Sequence, residues 1–178
     1  MSVMGQPPFD AVVAAHHGEI HRYLQRTTAR GSEAEDLAQE TFLRAYRAYR
    51  TLTPDANVRA WLFTIATNLT RNHFRAEGRR RRAFAEVRVT RAAAVADGPE
   101  DAALASEARA RVEAVVARLP LKQRLAFLLR RVHDLDYDTI ARSLDCSSDS
   151  ARAHVFQALR KIRLGLDGQE IPAPGVTR

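Results

Sequence analysis

The segment from residue 135 to residue 162 constrains the fold most, because its pattern predicts two short helices joined by a tight turn. Leu135 and Ile140 flank Asp136 in the way that a hydrophobic staple flanks a helix N-cap. The apolar periodicity then breaks, and Ser147 is placed to cap a second helix. This second helix is expected to bury a stripe made of Ala151, Val155, Leu159 and Ile162. The segment therefore predicts a helix-turn-helix.

The opposite face of the second helix is rich in hydrogen-bond donors. Its polar side chains are Ser150, Arg152, His154, Gln157, Arg160 and Lys161. A short helix with such a face is typical of one that enters the DNA major groove, where base edges present donors and acceptors. We assign base reading to the first four residues and phosphate contact to Arg160 and Lys161. The alternative is a solvated charged face on two helices that only pack together.

The overall charge agrees with a polyanionic partner. The formal net charge is +7 and the pI is about 10.4, which suits nucleic acid or an acidic membrane surface. Cys146 is the single cysteine, which excludes an internal disulfide and fits a reducing cytoplasm. No apolar run approaches the roughly 20 residues that a membrane span needs. We therefore expect a cytoplasmic protein without membrane insertion.

The rest of the chain predicts an all-α protein of two small domains. Helical periodicity covers about residues 9 to 29, then a helix that Ser32 caps and that runs to about Leu52, then a third helix from about Asn57. The periodicity fades over residues 84–102, which predicts a flexible linker. An N-terminal domain would thus span residues 5–83. A C-terminal domain would span residues 103–166, and residues 167–178 would form a disordered tail.

The third helix ends in a basic run from residue 71 to residue 82, with aromatic and amide side chains upstream. Aromatic rings beside arginines suit an unstacked single strand, since bases need flat partners and phosphates need positive charge. Asn68 and Asn72 lie one helical turn apart and could bond exposed base edges. We therefore predict that this helix handles melted DNA. Trp61 has the alternative of a core position.

Catalytic and metal-binding patterns are weak in this sequence. His17 and His21 have a metal-ligand spacing, but no further ligand completes a site nearby, so we predict no metal. His16 falls on the apolar stripe and is expected in the core. The sequence contains no Gly-rich phosphate loop, nucleophile elbow or paired-carboxylate motif. We accordingly expect a protein that is not an enzyme and needs no cofactor.

Several segments, in order and correctly spaced, resemble the extracytoplasmic-function (ECF) sigma factors of bacterial RNA polymerase. They are residues 36–43 (DLAQETFL), 60–68 (AWLFTIATN), 119–124 (LPLKQR) and the pair 140–141. The resemblance runs from about residue 9 to about residue 164. It implies a promoter-specificity subunit without catalysis, whose first domain binds core polymerase and melts the minus-ten element. The last domain would read the minus-thirty-five element, and an anti-sigma factor would be a further partner.

The resemblance also carries roles to individual positions. The polymerase-binding positions it implies are Asp36, Gln39, Glu40 and Phe42. The minus-ten positions are Trp61, Asn68, Asn72 and Arg75, to which the basic run adds Arg79. In the reading helix the matching positions are Ser150, Arg152, Ala153, His154 and Gln157. The chain departs from the family at Asp145, where glycine is common, at Asn72, where aspartate is common, and at residues 153–154, where Ser-Arg is common.

Two rival functions stay open at this point. One is an independent helix-turn-helix regulator that binds duplex DNA without polymerase and uses its N-terminal half for sensing or dimerisation. The other is an adaptor that binds only proteins. Dependence on core enzyme separates the first rival from a sigma factor, and salt-dependent DNA affinity separates the second.

Overall fold

The computed structural model of the chain describes residues 6–28, 30–83 and 103–168. Within these ranges the regular elements are all helices, as the sequence predicts. The chain divides into two compact units, Met1–Val89 and Thr90–Arg178. The predicted linker, 84–102, and the predicted tail beyond residue 168 lie outside the described residues. None of the described helices combines the length and the apolar character that crossing a membrane requires.

The first unit contains three helices that bury one another. They are α1 (Phe9–Thr27), α2 (Gly31–Tyr49) and α3 (Val58–Ala83). Tyr23 is fully buried between α1 and α3, where its ring meets the edge of Phe63 at a centroid distance of 5.3 Å. Its hydroxyl shares a 2.9 Å hydrogen bond with Thr67 Oγ1, so the buried polar group is satisfied. These contacts hold α1 and α3 together.

The boundary between α1 and α2 differs from the prediction. α1 ends at Thr27, because Thr28 is extended and both its backbone N–H and its hydroxyl donate to the Leu24 carbonyl, each at 2.9 Å. Gly31 begins α2, with Arg30 as its N-cap, so the prediction of Ser32 as the cap was wrong. α2 ends at Tyr49, three residues earlier than Leu52.

The second unit contains a π-helical turn that the sequence pattern did not reveal. Its helices are α4 (Ala103–Ala117), α5 (Leu121–Phe127), α6 (Tyr137–Leu144) and α7 (Ser148–Leu166), and α5 continues into the π turn Leu128–Val132. The His133 amide donates to the Leu128 carbonyl five residues back, at 3.1 Å. The additional residue shifts the helical register, and Val132 is exposed although valine is normally buried.

The helix-turn-helix is confirmed, together with both of its caps. Asp136 accepts a 2.8 Å bond from the Thr139 amide, and its pKa is lowered mainly by this bond, because it favours the ionised carboxylate. Ser147 accepts a 3.1 Å bond from the Ser150 amide. Asp145 closes α6 in the left-handed region, with φ 52° and ψ 62°, which aspartate tolerates better than most residues.

The prediction of the apolar stripe on α7 was wrong at one position. Leu159 is 37% exposed, and Ala158 is buried in its place. The helical period of 3.6 residues explains the difference, since the step from Val155 to the next core position is three residues here. The buried stripe is therefore Ala151, Val155, Ala158 and Ile162.

Candidate nucleic-acid interface

The exposed face of α7 presents a compact set of mixed side chains, which we call the reading face. Its members are Arg152, Ala153, Phe156 and Gln157, all exposed, with Arg160 exposed one turn further on. Phe156 is 69% exposed, although a large aromatic side chain is normally buried. The sequence placed Phe156 outside the apolar stripe but gave it no role. Its position at the centre of the reading face makes it a candidate for apolar contact with a base.

Arg152, near the start of α7, lies over an aromatic ring that belongs to α6. Its guanidinium carbon lies 5.1 Å from the centroid of Tyr137, the first residue of α6. The guanidinium of Arg130 lies at the same distance from this ring and donates to the Leu135 carbonyl at 3.1 Å. Two guanidiniums on one ring form a positive cluster that the Tyr137 π-system stabilises. Arg152 is thus exposed but oriented.

Two of the predicted base-reading side chains are only half-exposed. Ser150 lies in the cap of α7, where its hydroxyl accepts a 2.9 Å hydrogen bond from Ser147 Oγ. His154 is half-buried, and its Nδ1 is buried without a hydrogen-bond partner among the described residues. Burial lowers the pKa of His154, and repulsion from Lys122 adds to the effect. His154 is therefore neutral near pH 7 and less accessible than its neighbours.

Gln157 is exposed but is bonded to another helix. The Gln123 side chain in the first turn of α5 donates from Nε2 to Gln157 Oε1 at 2.7 Å. Lys161, which was predicted to contact phosphate, is half-exposed. On α7, the side chains of Arg152, Phe156 and Arg160 are exposed.

In the first unit, α2 exposes a mixed acidic and apolar surface, which we call the docking face. Its residues follow helical spacing and are Asp36, Gln39, Glu40, Leu43 and Tyr46. Glu40 accepts a 2.6 Å bond from Arg44 Nε on the same helix. Tyr46 is 65% exposed and touches the Phe9 ring edge-on at a centroid distance of 5.4 Å. The sequence analysis missed Leu43 and Tyr46, although their spacing from Gln39 was visible.

Phe42 occupies a different position from the other predicted polymerase-binding residues. Its side chain is only 8% exposed, and its ring stacks on His17 of α1 at a centroid distance of 5.6 Å. A side chain buried in this way supports the docking face from inside and offers little contact area of its own. The structure places Phe42 in the core of the first unit, and its part in polymerase binding stays a prediction.

On α3 the predicted minus-ten residues form one continuous stripe, which we call the α3 stripe. Its members, Trp61, Asn68, Asn72, Arg75 and Arg79, are separated by seven, four, three and four residues. Asn68, Asn72, Arg75 and Arg79 are exposed, and Trp61 is half-buried with its ring 6.5 Å from that of Tyr49. Arg71 in the basic run is buried and donates to Asn68 Oδ1 at 3.3 Å. The stripe combines an aromatic face, amides and positive charge.

The histidines of α1 do not form a convergent metal site in the part of the chain that the structure describes. His17 and His21 stack with nearly parallel rings at a centroid distance of 5.9 Å. No group of three or more His, Cys, Asp or Glu side chains that could hold a metal ion occurs among the described residues. His16 is half-buried and not in the core, so its predicted core position was wrong.

Comparison with known proteins agrees with this arrangement. The Sigma-70 region 2 family model matches residues 12–80, and the Sigma-70, region 4 model matches residues 109–162. The RNA polymerase sigma-H factor of Pseudomonas aeruginosa is 33% identical to this chain over 164 residues, which cover 86% of this chain and 83% of that protein. The ECF RNA polymerase sigma-E factor of Escherichia coli K12 is 30% identical, covering 88% of this chain and 85% of that protein.

A solved structure shares the fold. A chain in the co-crystal structure of the sigma factor RpoE with the anti-sigma factor NepR from Bartonella quintana matches with a TM-score of 0.75 and 21% sequence identity. The match covers 91% of this chain and 98% of that chain. Two family regions in order, relatives that match over most of their length, and the confirmed helix-turn-helix agree with one another. The chain therefore belongs to the extracytoplasmic-function sigma factors of RNA polymerase.

Proposed function

We propose that this sigma factor directs core RNA polymerase to particular promoters through three separate surfaces. The docking face binds the polymerase, the α3 stripe binds the melted minus-ten strand, and the reading face recognises the minus-thirty-five duplex. The observation that carries this proposal is that each surface lies along one face of a helix that a buried core holds in place. The protein has no catalysis of its own and acts in the cytoplasm, where it meets the polymerase.

The docking face has the composition of a protein-binding surface. Asp36 and Glu40 supply negative charge, while Leu43 and Tyr46 supply exposed apolar area next to it. Apolar and aromatic contacts that lose their water provide most binding energy at such surfaces, whereas charges steer the encounter and select the partner. We infer that the polymerase offers a complementary surface of positive and apolar side chains.

The α3 stripe suits single-stranded DNA. Asn72 can donate and accept hydrogen bonds on base edges that pairing would hide in a duplex, and Asn68, whose oxygen accepts from Arg71, can donate to them. Arg75 and Arg79 can contact the phosphates, and the half-exposed face of Trp61 can stack on a base. A surface with these three groups stabilises separated strands relative to the duplex, and this preference favours promoter opening.

The reading face suits the major groove of a duplex. Arg152 can bond guanine through two donors, and Phe156 can contact a thymine methyl group. Ala153 is small enough for the helix to approach the bases closely, and Arg160 and Lys161 contact the phosphates. Ser150 and His154 act mainly by supporting the N-terminal turns of α7, since both are half-buried.

We further propose that an anti-sigma factor binds this chain. The structurally similar Bartonella quintana sigma factor was solved in complex with one, and its fold matches over nearly the whole of both chains. The exposed apolar side chains of the docking face provide a surface that an inhibitor could cover in competition with polymerase.

Transcription in vitro tests the proposal directly. Core polymerase, with and without the purified protein, would transcribe a pool of genomic fragments, and start sites would be mapped. We expect specific starts that share upstream and minus-ten motifs only when both proteins are present. Specific DNA binding without polymerase, and no start-site selection with it, would contradict the proposal and favour an independent regulator. DNA affinity that does not depend on salt would indicate an adaptor, because phosphate contacts release counterions.

A further inference from the structure

A residue outside α7 is hydrogen-bonded to a residue of the reading face. Gln123 lies in the first turn of α5, and its Nε2 donates to Gln157 Oε1 at 2.7 Å. Gln123 is half-buried, and its own Oε1 is buried without a hydrogen-bond partner among the described residues. The Gln123 amide therefore sits at the junction of the two helices, and its donor end points at Gln157.

This bond limits what Gln157 can offer to DNA. A carboxamide has an acceptor oxygen and a donor nitrogen, and recognition of adenine uses both, with the oxygen accepting from N6 and the nitrogen donating to N7. In this structure the Gln157 oxygen faces α5 and is engaged by Gln123. The nitrogen, with two N–H groups, is the end left for a ligand. Gln157 is thus presented as a donor.

We propose that Gln123 is a specificity-determining residue, because it orients Gln157 so that it selects a base acceptor. The bases that present acceptors without an amino group in the major groove are guanine, through O6 and N7, and thymine, through O4. Adenine and cytosine present an amino group, which would need the engaged oxygen. This inference rests on the proposed function, in which α7 reads the upstream duplex.

The substitution Gln123→Glu reverses the orientation. A carboxylate only accepts hydrogen bonds, so Gln157 must turn its nitrogen towards residue 123 and present its oxygen to the groove. We expect the preference at one base pair of the minus-thirty-five element to move towards adenine or cytosine by about tenfold, the size of a single lost base contact. The preferences at the other positions should stay as they are.

The readout is selection by holoenzyme, assembled from core polymerase and full-length protein, from promoters randomised in the upstream element. The ratio between bases at each position is compared, because the added negative charge weakens binding to every sequence alike. Lys122→Gln is the matched control, since it lowers the charge by the same amount at the adjacent exposed position and leaves the glutamine pair intact. We expect it to reduce affinity without changing any base preference.

Two further variants identify the route of the effect. Gln123→Leu removes the bond, so Gln157 can turn either end to the groove and the preference should broaden. Gln157→Ala should abolish the preference at this base pair, and adding Gln123→Glu to it should change nothing more. An unchanged preference in Gln123→Glu holoenzyme that still binds promoters would overturn the inference. So would a shift that persists when Gln157 is alanine.

The failure of the proposed function would look different. If wild-type holoenzyme selected no base at any upstream position, the reading role of α7 itself would be wrong, and the inference would be overturned with it. If wild-type protein selects an upstream motif and Gln157→Ala leaves every position of that motif unchanged, α7 still reads DNA but Gln157 is not a reader. This second result contradicts the inference about Gln123 but leaves the proposed function intact.

Discussion

On α7, side chains only one or two positions apart in the sequence differ in their exposure to solvent. Arg152, Phe156 and Gln157 are exposed, while His154 between them is half-buried beside Lys122. The exposed residues can reach a ligand without any change in the fold. His154 instead resists protonation, because both burial and the nearby Lys122 oppose a positive charge on its ring.

His154 should make the stability of the second unit depend on pH. Its folded pKa lies below the ordinary value of 6.5, so the unfolded chain binds more protons between these two pKa values. The free energy of unfolding should therefore decrease as pH falls through 6.5 towards the folded pKa. Hydrogen exchange of α7 amides measured at several pH values checks this. His154→Gln should weaken the dependence, and an identical pH profile in this variant would contradict the prediction.

Arg152→Ala should relax selection at one base pair of the upstream element. A bidentate contact to guanine contributes about 1–3 kcal/mol of discrimination, so the preferred sequence should lose roughly tenfold in affinity. Competition binding of holoenzyme to promoters that differ at single upstream positions measures the loss. An equal loss on all sequences would instead mean that Arg152 contacts the DNA backbone. Arg163→Ala is the matched control, because this exposed arginine lies on α7 beyond the reading face.

At the scale of helices, the sequence predicted the helix ends that a nearby side chain caps. The caps Asp136 and Ser147 were predicted because each cap acts on an amide only three residues away. The start of α2 was not, because its N-cap, Arg30, makes no side-chain capping bond and so carries no capping signal in the sequence. The burial of Phe42 was also missed, because it depends on the approach of His17 from α1.

Removing the cap of α6 should destabilise the second unit. Asp136→Ala leaves the Thr139 amide without its 2.8 Å partner and should lower the free energy of unfolding by about 1 kcal/mol. Asp136→Asn retains an acceptor oxygen, so its loss should be clearly smaller. Chemical denaturation followed by circular dichroism, with hydrogen exchange of α6 amides, measures both variants. Equal stability of the alanine variant and the wild type would show that the cap contributes nothing.

Reversing the charge of the docking face should weaken polymerase binding. Asp36→Lys with Glu40→Lys places positive charge where the partner is expected to be positive, and we expect affinity to fall by at least about tenfold. The fold should persist, since the Glu40–Arg44 ion pair on the surface contributes less than about 1 kcal/mol. The double variant Asp10→Lys with Asp55→Lys is the control, because it makes the same change at exposed acids outside α2. Equal affinity for the two double variants in a pull-down would contradict the assignment.

At the scale of the whole chain, each compact unit has its own buried core. Leu62 of α3 and Leu129 of the π turn are both fully buried, and they belong to different units. The all-α fold and the order of the helices could be predicted from the sequence, since apolar periodicity is a strong signal over long segments. The Gln123–Gln157 pair could not, because it joins side chains 34 residues apart that no local pattern connects.

Separate cores imply that the two units should lose stability independently. Leu62→Ala should destabilise the first unit by about 2–5 kcal/mol, the cost of a cavity in a packed core, and leave amide exchange in α6 and α7 unchanged. Leu129→Ala should have the reciprocal effect. Trp61 is the only tryptophan and lies in the first unit, so its fluorescence reports that unit alone. Loss of protection in both units from either variant would show that they unfold together.

The number of residues in the π turn constrains how the second unit can pack. Such a turn is a helix that carries one surplus residue, so deleting any residue of Leu128–Val132 would restore an ordinary helix. The helix before the deletion would then rotate by about 100° relative to α6 and α7, because one residue is a little over a quarter of a helical turn. The fold of the second unit therefore depends on the length of this stretch as well as on its buried side chains, Leu128 and Leu129.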